Sequence, residues 1–354
     1  MKIRITRLLI YVILILFTKN IYLYAFNLKL KEIIKIGSDK QNYEFFNIVG
    51  VCIDKSGNIY IADSDICTIS KYSKEGIFIK KIGKCGQGPG DFGNLSIDLK
   101  IKEDSVYVQD FKNSRIEVLD FNLNYIKYIK LLKPFWRNFF IINSLFYGPI
   151  FISKEDKKRI YVCDKRGKFK FSFFDKYPDY INVNNKDRIY LGISSLYSSL
   201  IMDYNRKRNN FVISFYNQGR KLVLYYYNPE GKFIREQSFE ILKDYKFPKF
   251  LLKYPPKYPN EFTIIKTDSI HYYKNKYVIL HYVISKGMKQ KNGKIEYRNK
   301  AFIILIDIEK GIIKDKIKVN PGFRILKIKG DYLYAKNFND EIEKLHIYKI
   351  EGIK

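Results

Sequence analysis

Short runs in which apolar and polar residues alternate, each closed by glycine, asparagine or aspartate, fill most of this chain. The run Val51-Cys-Ile-Asp-Lys-Ser-Gly-Asn-Ile-Tyr-Ile-Ala-Asp63 predicts two strands hinged at Gly57-Asn58. A period of two residues is the signature of a strand with one face in a core. A third and a fourth strand follow, turning at Lys74-Glu75-Gly76. The chain then crosses through Gly86-Gln-Gly-Pro-Gly-Asp-Phe92, and at Leu99 the same succession begins again.

A four-stranded sheet, a glycine-rich crossing and another sheet predict an all-β chain folded as a β-propeller. Third strands and the hairpins after them align throughout. Thr68–Tyr72 leads to Gly76, Arg115–Asp120 to Asn124, Arg159–Asp164 to Gly167, Lys221–Tyr226 to Gly231 and Phe302–Asp307 to Gly311. The hairpin needs one residue at positive φ, so glycine recurs there, and Asn124 is read as its substitute in the second repeat. The first two intervals are 47 and 44 residues, the span of a propeller blade. The predicted blades cover 47–84, 95–132, 138–174, 198–240 and 262–318, with insertions at Leu242–Pro259 and Lys286–Arg298.

The last repeat starts at Phe323 and ends one strand short. Leu28–Gly37 is patterned like Ile77–Gly83, the fourth strand of the first repeat. An N-terminal strand that completes the final blade closes the ring and protects its edges. The expectation is six four-stranded antiparallel blades, latched where the segment around Ile34 meets that around Ile347.

The residues Asp54-Lys-Ser-Gly-Asn-Ile-Tyr-Ile-Ala-Asp63 and the crossing Gly86–Phe92 resemble the NHL-repeat group and the exported bacterial six-bladed propellers of NHL or TolB-like type. The first repeat matches well and the second moderately; beyond Leu132 only the periodicity is shared. The resemblance implies a six-bladed propeller with a ligand- or protein-binding role. A single tryptophan argues against WD repeats.

Composition refines this picture. The chain has 354 residues, 46% hydrophobic and 17% aromatic, enough for one large all-β body over 26–354. Residues 1–25 read as a signal peptide: Lys2, Arg4 and Arg7 precede the apolar run Leu8–Phe17, and Leu23-Tyr24-Ala25 ends in a small residue. An uncleaved anchor is the alternative. The mature chain, with no later run of membrane-spanning length, is expected to be exported to a periplasmic or extracellular space and monomeric. Four cysteines, Cys52, Cys67, Cys85 and Cys163, allow three pairings; their spacing fits neither zinc nor a redox motif, and buried thiols with at most one bridge are expected. The net charge of +29 comes mostly from lysine spread along the chain, which reads as composition more than as a phosphate-binding surface.

Candidate chemistry is sparse. There is no G-x-S-x-G elbow, Walker loop or haem motif, and Gly86–Gly90 precedes a strand, not a helix. Asp63 and Asp110 end second strands and belong on one rim, either lining a central pocket or capping turns. Trp136 and Arg137, in the crossing Lys133–Phe140 on that same rim, are either a binding surface or blade packing. Tyr254–Pro259 is a stiff proline-rich insertion. His271, His281 and His346 read as ordinary strand histidines. The preferred reading is a non-catalytic exported propeller that binds an envelope protein, peptide or glycan, with no cofactor and no nucleic acid. Two alternatives stand beside it. One is a lactonase-like hydrolase or lyase with calcium or zinc on the axis, the other a polyanion-binding protein.

Overall fold

A computed structural model describes residues 28–37, 44–93, 97–150, 158–176, 200–215, 221–241 and 261–353. The signal segment 1–25 and the insertion around Tyr254–Pro259 lie outside these. The described residues form six four-stranded antiparallel sheets. Blade 1 is Ile48–Ile53, Ile59–Asp63, Thr68–Tyr72 and Phe78–Ile82. Blade 2 is Ile97–Lys102, Ser105–Asp110, Arg115–Asp120 and Tyr125–Lys130. Blade 3 is Phe140–Ile142, Leu145–Pro149, Ile160–Asp164 and Phe169–Phe173. Blade 4 is Leu200–Asn205, Asn210–Phe215, Leu222–Tyr227 and Phe233–Phe239. Blade 5 is Glu261–Tyr273, Tyr277–Lys289, Ile295–Asp307 and Ile312–Val319. In blade 6, Phe323–Lys329, Tyr332–Asn337 and Leu345–Glu351 are joined by the N-terminal strand Lys29–Ile36.

The closure is as expected, with Ile34 opposite Ile347. It is reinforced by His346, whose ring bridges Glu32 of the N-terminal strand and Asp340 (2.7 Å). Leu28 N–H also donates to Asp315 Oδ2 of blade 5 at 2.6 Å, fastening the latch to its neighbour.

The core is six slabs, one between each pair of adjacent blades. Tyr60 and Ile69 of blade 1 meet Leu99 and Val108 of blade 2, and so on around the ring. The last slab joins Ile36 and Ile347 of blade 6 to Ile61 and Tyr72 of blade 1. Second and third strands are covered on both faces, which is why Ile59–Asp63 and Thr68–Tyr72 are buried throughout; outer strands are covered only in part. Each blade interface thus contributes apolar burial at about 25 cal/mol per Å².

One sequence expectation is corrected. In the blade 2 hairpin it is Leu123 (φ 61°), not Asn124, that takes the position held elsewhere by Gly76, Gly167, Gly231 and Gly311. The Leu123 side chain is buried in the slab between blades 1 and 2, and this burial offsets the backbone cost. Asn124 instead donates through its backbone and side-chain N–H groups to Asp120.

Of the cysteines, Cys67 and Cys85 form a disulfide, while Cys52 and Cys163 are free and buried. The bridge ties the second turn of blade 1 to the crossing that leaves it. Burial pushes the Cys163 thiol up to about 12 and raises that of Cys52, so both are unreactive thiols.

Candidate functional site

Antiparallel order fixes two rims. Crossings between blades, and the hairpins between second and third strands, open on one; the remaining hairpins open on the other. Asp63, Asp110, Trp136 and Arg137 all lie on the crossing rim, as expected, but they do different things there.

Asp63 is buried and accepts from the backbone N–H groups of Phe46 (2.7 Å), Asn47 (3.1 Å) and Asp65 (3.1 Å). Asp110 accepts from Gly93 N–H at 3.0 Å and from the Asn113 side chain at 2.6 Å. Both carboxylates therefore hold the incoming crossing of their own blade, in the manner of turn caps. Arg115 does the same for the glycine-rich crossing: its guanidinium donates to the carbonyls of Gln87 (2.7 Å), Gly88 (3.0 Å) and Asp91 (2.8 Å). It also pairs with Asp110 and with Glu117 Oε1 at 2.7 Å. Burial, opposed by Arg115, raises the Glu117 carboxyl to about 7.

Trp136 packs edge-on against Phe111, with ring centroids 5.2 Å apart. Its neighbours Phe135 and Phe139 are fully buried, and Phe135 lies over Gly148, where any Cβ would come within 2.3 Å of the ring. Arg137 (φ 73°) departs from this packing and turns to the axis.

There an axial cavity of about 400 Å³ opens on the crossing rim, lined by every blade. Blade 1 gives Asn47–Val49, blade 2 Asp98, the blade 3 crossing Arg137 and Asn138, blade 4 Ile201 and Met202, blade 5 Asp268–His271, and blade 6 Arg324–Leu326 with Lys336 and Phe338. Three inner strands break register here, between Ile48 and Gly50, Thr267 and Ser269, and Ile325 and Lys327. The skipped residues Val49, Asp268 and Leu326 all line the cavity, so the bulges re-aim side chains toward the axis.

The cavity wall is polar. Arg324 Nε pairs with Asp268 Oδ2 at 2.7 Å, and His281 Nδ1 lies 3.4 Å from the same oxygen. Although burial opposes it, His281 and Arg324 hold the Asp268 carboxyl below its usual range. Lys336 is shared between Asn47 (2.9 Å) and Glu343 (3.1 Å). Deeper, Lys100 pairs with Asp98 while its ammonium sits over the rings of Phe139 and Phe140. Lys327 makes no hydrogen bond or ion pair with the described residues, yet its charge bears on Asp203, His271 and Cys52. Burial, with Lys327 and Lys100, lowers His271 to about 3, so its imidazole is neutral, and Nε2 has no partner among the described residues. Among the described residues buried His281 has no partner at Nε2.

His271 and His281 do sit on neighbouring strands, offset by two positions: Ser269 faces His281 and Ile279 faces His271. Among the described residues no three His, Cys, Asp or Glu side chains converge as a metal ion needs. Sequence reading missed Asp98, Asp268, Arg324 and Lys327, because they lie on inner strands of different blades, far apart in sequence. It read Lys286–Arg298 as an insertion without giving it a structure. The structure instead lengthens three strands of blade 5 to 13 residues each. The outer strand pairs only with Ala301–Asp307, so the rest forms an arm reaching roughly 20 Å beyond the crossing rim.

No protein-family model matches the chain, and no curated protein matches it. Solved structures do. A Bacteroides fragilis protein named as exported superposes with a TM-score of 0.56 at 13% identity, over 92% of this chain and 95% of that one. A DUF4221 family member from Bacteroides vulgatus gives 0.54 at 13%, over 92% and 99%. Virginiamycin B lyase from Staphylococcus aureus gives 0.51 at 12%, over 92% and 100%. What these likenesses share with the chain is the fold, and with the topology above they define a six-bladed β-propeller. No described helix is long and apolar enough to cross a membrane.

Proposed function

We propose that the protein is an exported binding propeller that receives an acidic group of an envelope protein, peptide or glycan in its axial cavity. The observation that carries this reading is Lys327, a cation without an ion-pair partner among the described residues, whose charge bears on His271 in the wall of a cavity that Arg137 and Arg324 also line. A carboxylate or phosphate entering from the crossing rim gains charge-assisted hydrogen bonds there in a partly desolvated site. The basic arm of blade 5, with Lys289, Lys291 and Lys294, stands on the same rim and extends the surface offered to a larger ligand.

An array of peptides and glycans graded in charge tests this: acidic members bind and neutral ones do not, and Arg137→Gln or Lys327→Gln abolishes the difference. Equal binding across the array, or unchanged binding by both variants, overturns it.

The second reading, a metal-dependent hydrolase or lyase, is favoured by the Nε2 atoms of His271 and His281, which have no partner among the described residues, with Asp268 beside His281. Under it these three residues, which do not converge around one point in this structure, must draw together to hold the calcium or zinc ion. Arg324 already engages Asp268, which places this reading second. Stoichiometric metal in the gently purified protein, with turnover lost in His281→Ala, would reverse the order.

A further inference from the structure

The rim opposite the cavity carries a repeated feature that ligand binding does not use. In five blades the second residue after the positive-φ turn into the outer strand is Phe78, Tyr125, Phe169, Phe233 or Ile313, beside a register shift. Next to these stand apolar side chains left in solvent: Ile77 is 64% exposed, Ile126 51%, Ile234 48% and Ile312 44%. Scattered apolar side chains on a surface are ordinary. The second position itself is exposed in four blades, Tyr125, Phe169, Phe233 and Ile313, and with the neighbouring isoleucines, which stand one or three residues after the turn, it forms a discontinuous apolar ring on one rim.

The outer strands that bear this ring are strongly basic, with twelve Lys or Arg against three Asp or Glu. Lysines on free strand edges discourage edge-to-edge pairing. That explanation accounts for the charge but not for the ring. A third observation joins the two. The N-terminal strand is the outer strand of blade 6 and starts opposite Glu351, on this same rim. Where residues 1–25 stay uncleaved, the alternative given above, the sequence leading into this strand adds Lys2, Arg4 and Arg7 and the apolar run Leu8–Phe17.

We infer that this rim docks on an anionic lipid bilayer. Ile and Phe side chains insert at the headgroup boundary while lysines of the outer strands reach along the surface to anionic lipid. The crossing rim and its axial cavity then face away from the membrane, open to a ligand. Lipid is the occupant, rather than a soluble acidic polymer, because a polymer needs the charge but gives no role to the ring.

The test is flotation of the full chain with phosphatidylcholine vesicles, with and without phosphatidylglycerol, for the native sequence and an Ile77→Ser/Ile126→Ser/Ile234→Ser variant. These three side chains are exposed, so folding is retained and is checked by an unchanged melting curve. A second variant, Phe169→Ser/Ile312→Ser, places the same change on two other blades. The expected result is binding only to the anionic vesicles, weakened by added salt and about tenfold weaker in each variant. Variants that float as well as the native chain overturn the inference, because the sequence before the N-terminal strand then carries all the binding. Equal flotation with neutral vesicles overturns it too. So does retention of soluble polyphosphate by all three proteins without vesicle binding, which would identify a polymer as the partner.

Discussion

In blades 1 and 2 Asp63, Asp110 and Arg115 turn toward backbone, whereas in blades 5 and 6 Asp268, Arg324 and His271 turn toward the axis. Asp63, Asp110 and Arg115 each bond crossing segments of the chain, and their partners are the amides and carbonyls of Phe46, Gly93 and Gln87. Asp268, Arg324 and His271 line a cavity, and Lys327, whose charge bears on His271, is left with no ion-pair partner among the described residues. A repeat motif that is easy to read is easy to read because the fold needs it. Where the motif fades, inner-strand positions are released from that duty and are free to build a site.

The strongest way to break this comparison is at its most committed residue. Arg115→Met leaves Asp110 and Glu117 buried without their cation and three carbonyls without donors. A loss of about 3–5 kcal/mol is expected in denaturant unfolding, with ligand binding by the folded fraction unchanged. Replacing Cys67 and Cys85 together by alanine removes a bridge spanning 18 residues and should cost about 3 kcal/mol, measured the same way. Gly148→Ala forces a methyl group onto the Phe135 ring and should cost about 1–3 kcal/mol.

Glu117 gives a smaller, pH-dependent effect. Its carboxyl is raised from 4.5 to about 7 in the folded state, so the native protein binds more protons than the unfolded chain between those values. Stability from this group is complete below pH 4.5 and is lost as pH rises toward 7. Melting curves across that window should fall for the native chain and be flatter for Glu117→Gln; parallel curves would remove Glu117 from the account. At the other end of the scale, Lys327→Gln removes a cation that pairs with nothing described and should change stability by no more than about 0.5 kcal/mol.

The fold was legible because propeller blades repeat one local grammar. Alternation, a glycine at the outer hairpin and the Gly86–Phe92 crossing suffice to locate blades 1 and 2, and the pattern of Leu28–Gly37 suffices to close the ring. The positive-φ position of blade 2 was assigned to Asn124, because at Leu123 that conformation is supported by burial between blades, which local turn chemistry cannot show. The site was mostly illegible. Arg137 could be singled out as a lone cation among aromatics. Asp98, Asp268, Arg324 and Lys327, however, are far apart in sequence and meet only because six inner strands share an axis. Three of those strands reach it through bulges, and a bulge has no signature in alternation alone. The blade 5 arm looked like an insertion for a related reason: its residues Lys286–Arg298 are polar on both faces, as a pair of strands standing clear of the core must be.

The most direct measurement compares Arg137→Gln/Lys327→Gln with Asp63→Asn, following both acidic-ligand binding and thermal stability in the same preparations. The account predicts a double dissociation: the cavity variant melts like the native chain and no longer distinguishes acidic ligands, while Asp63→Asn melts earlier and still binds them. Binding lost in Asp63→Asn at full stability, with binding retained in the cavity variant, would contradict it.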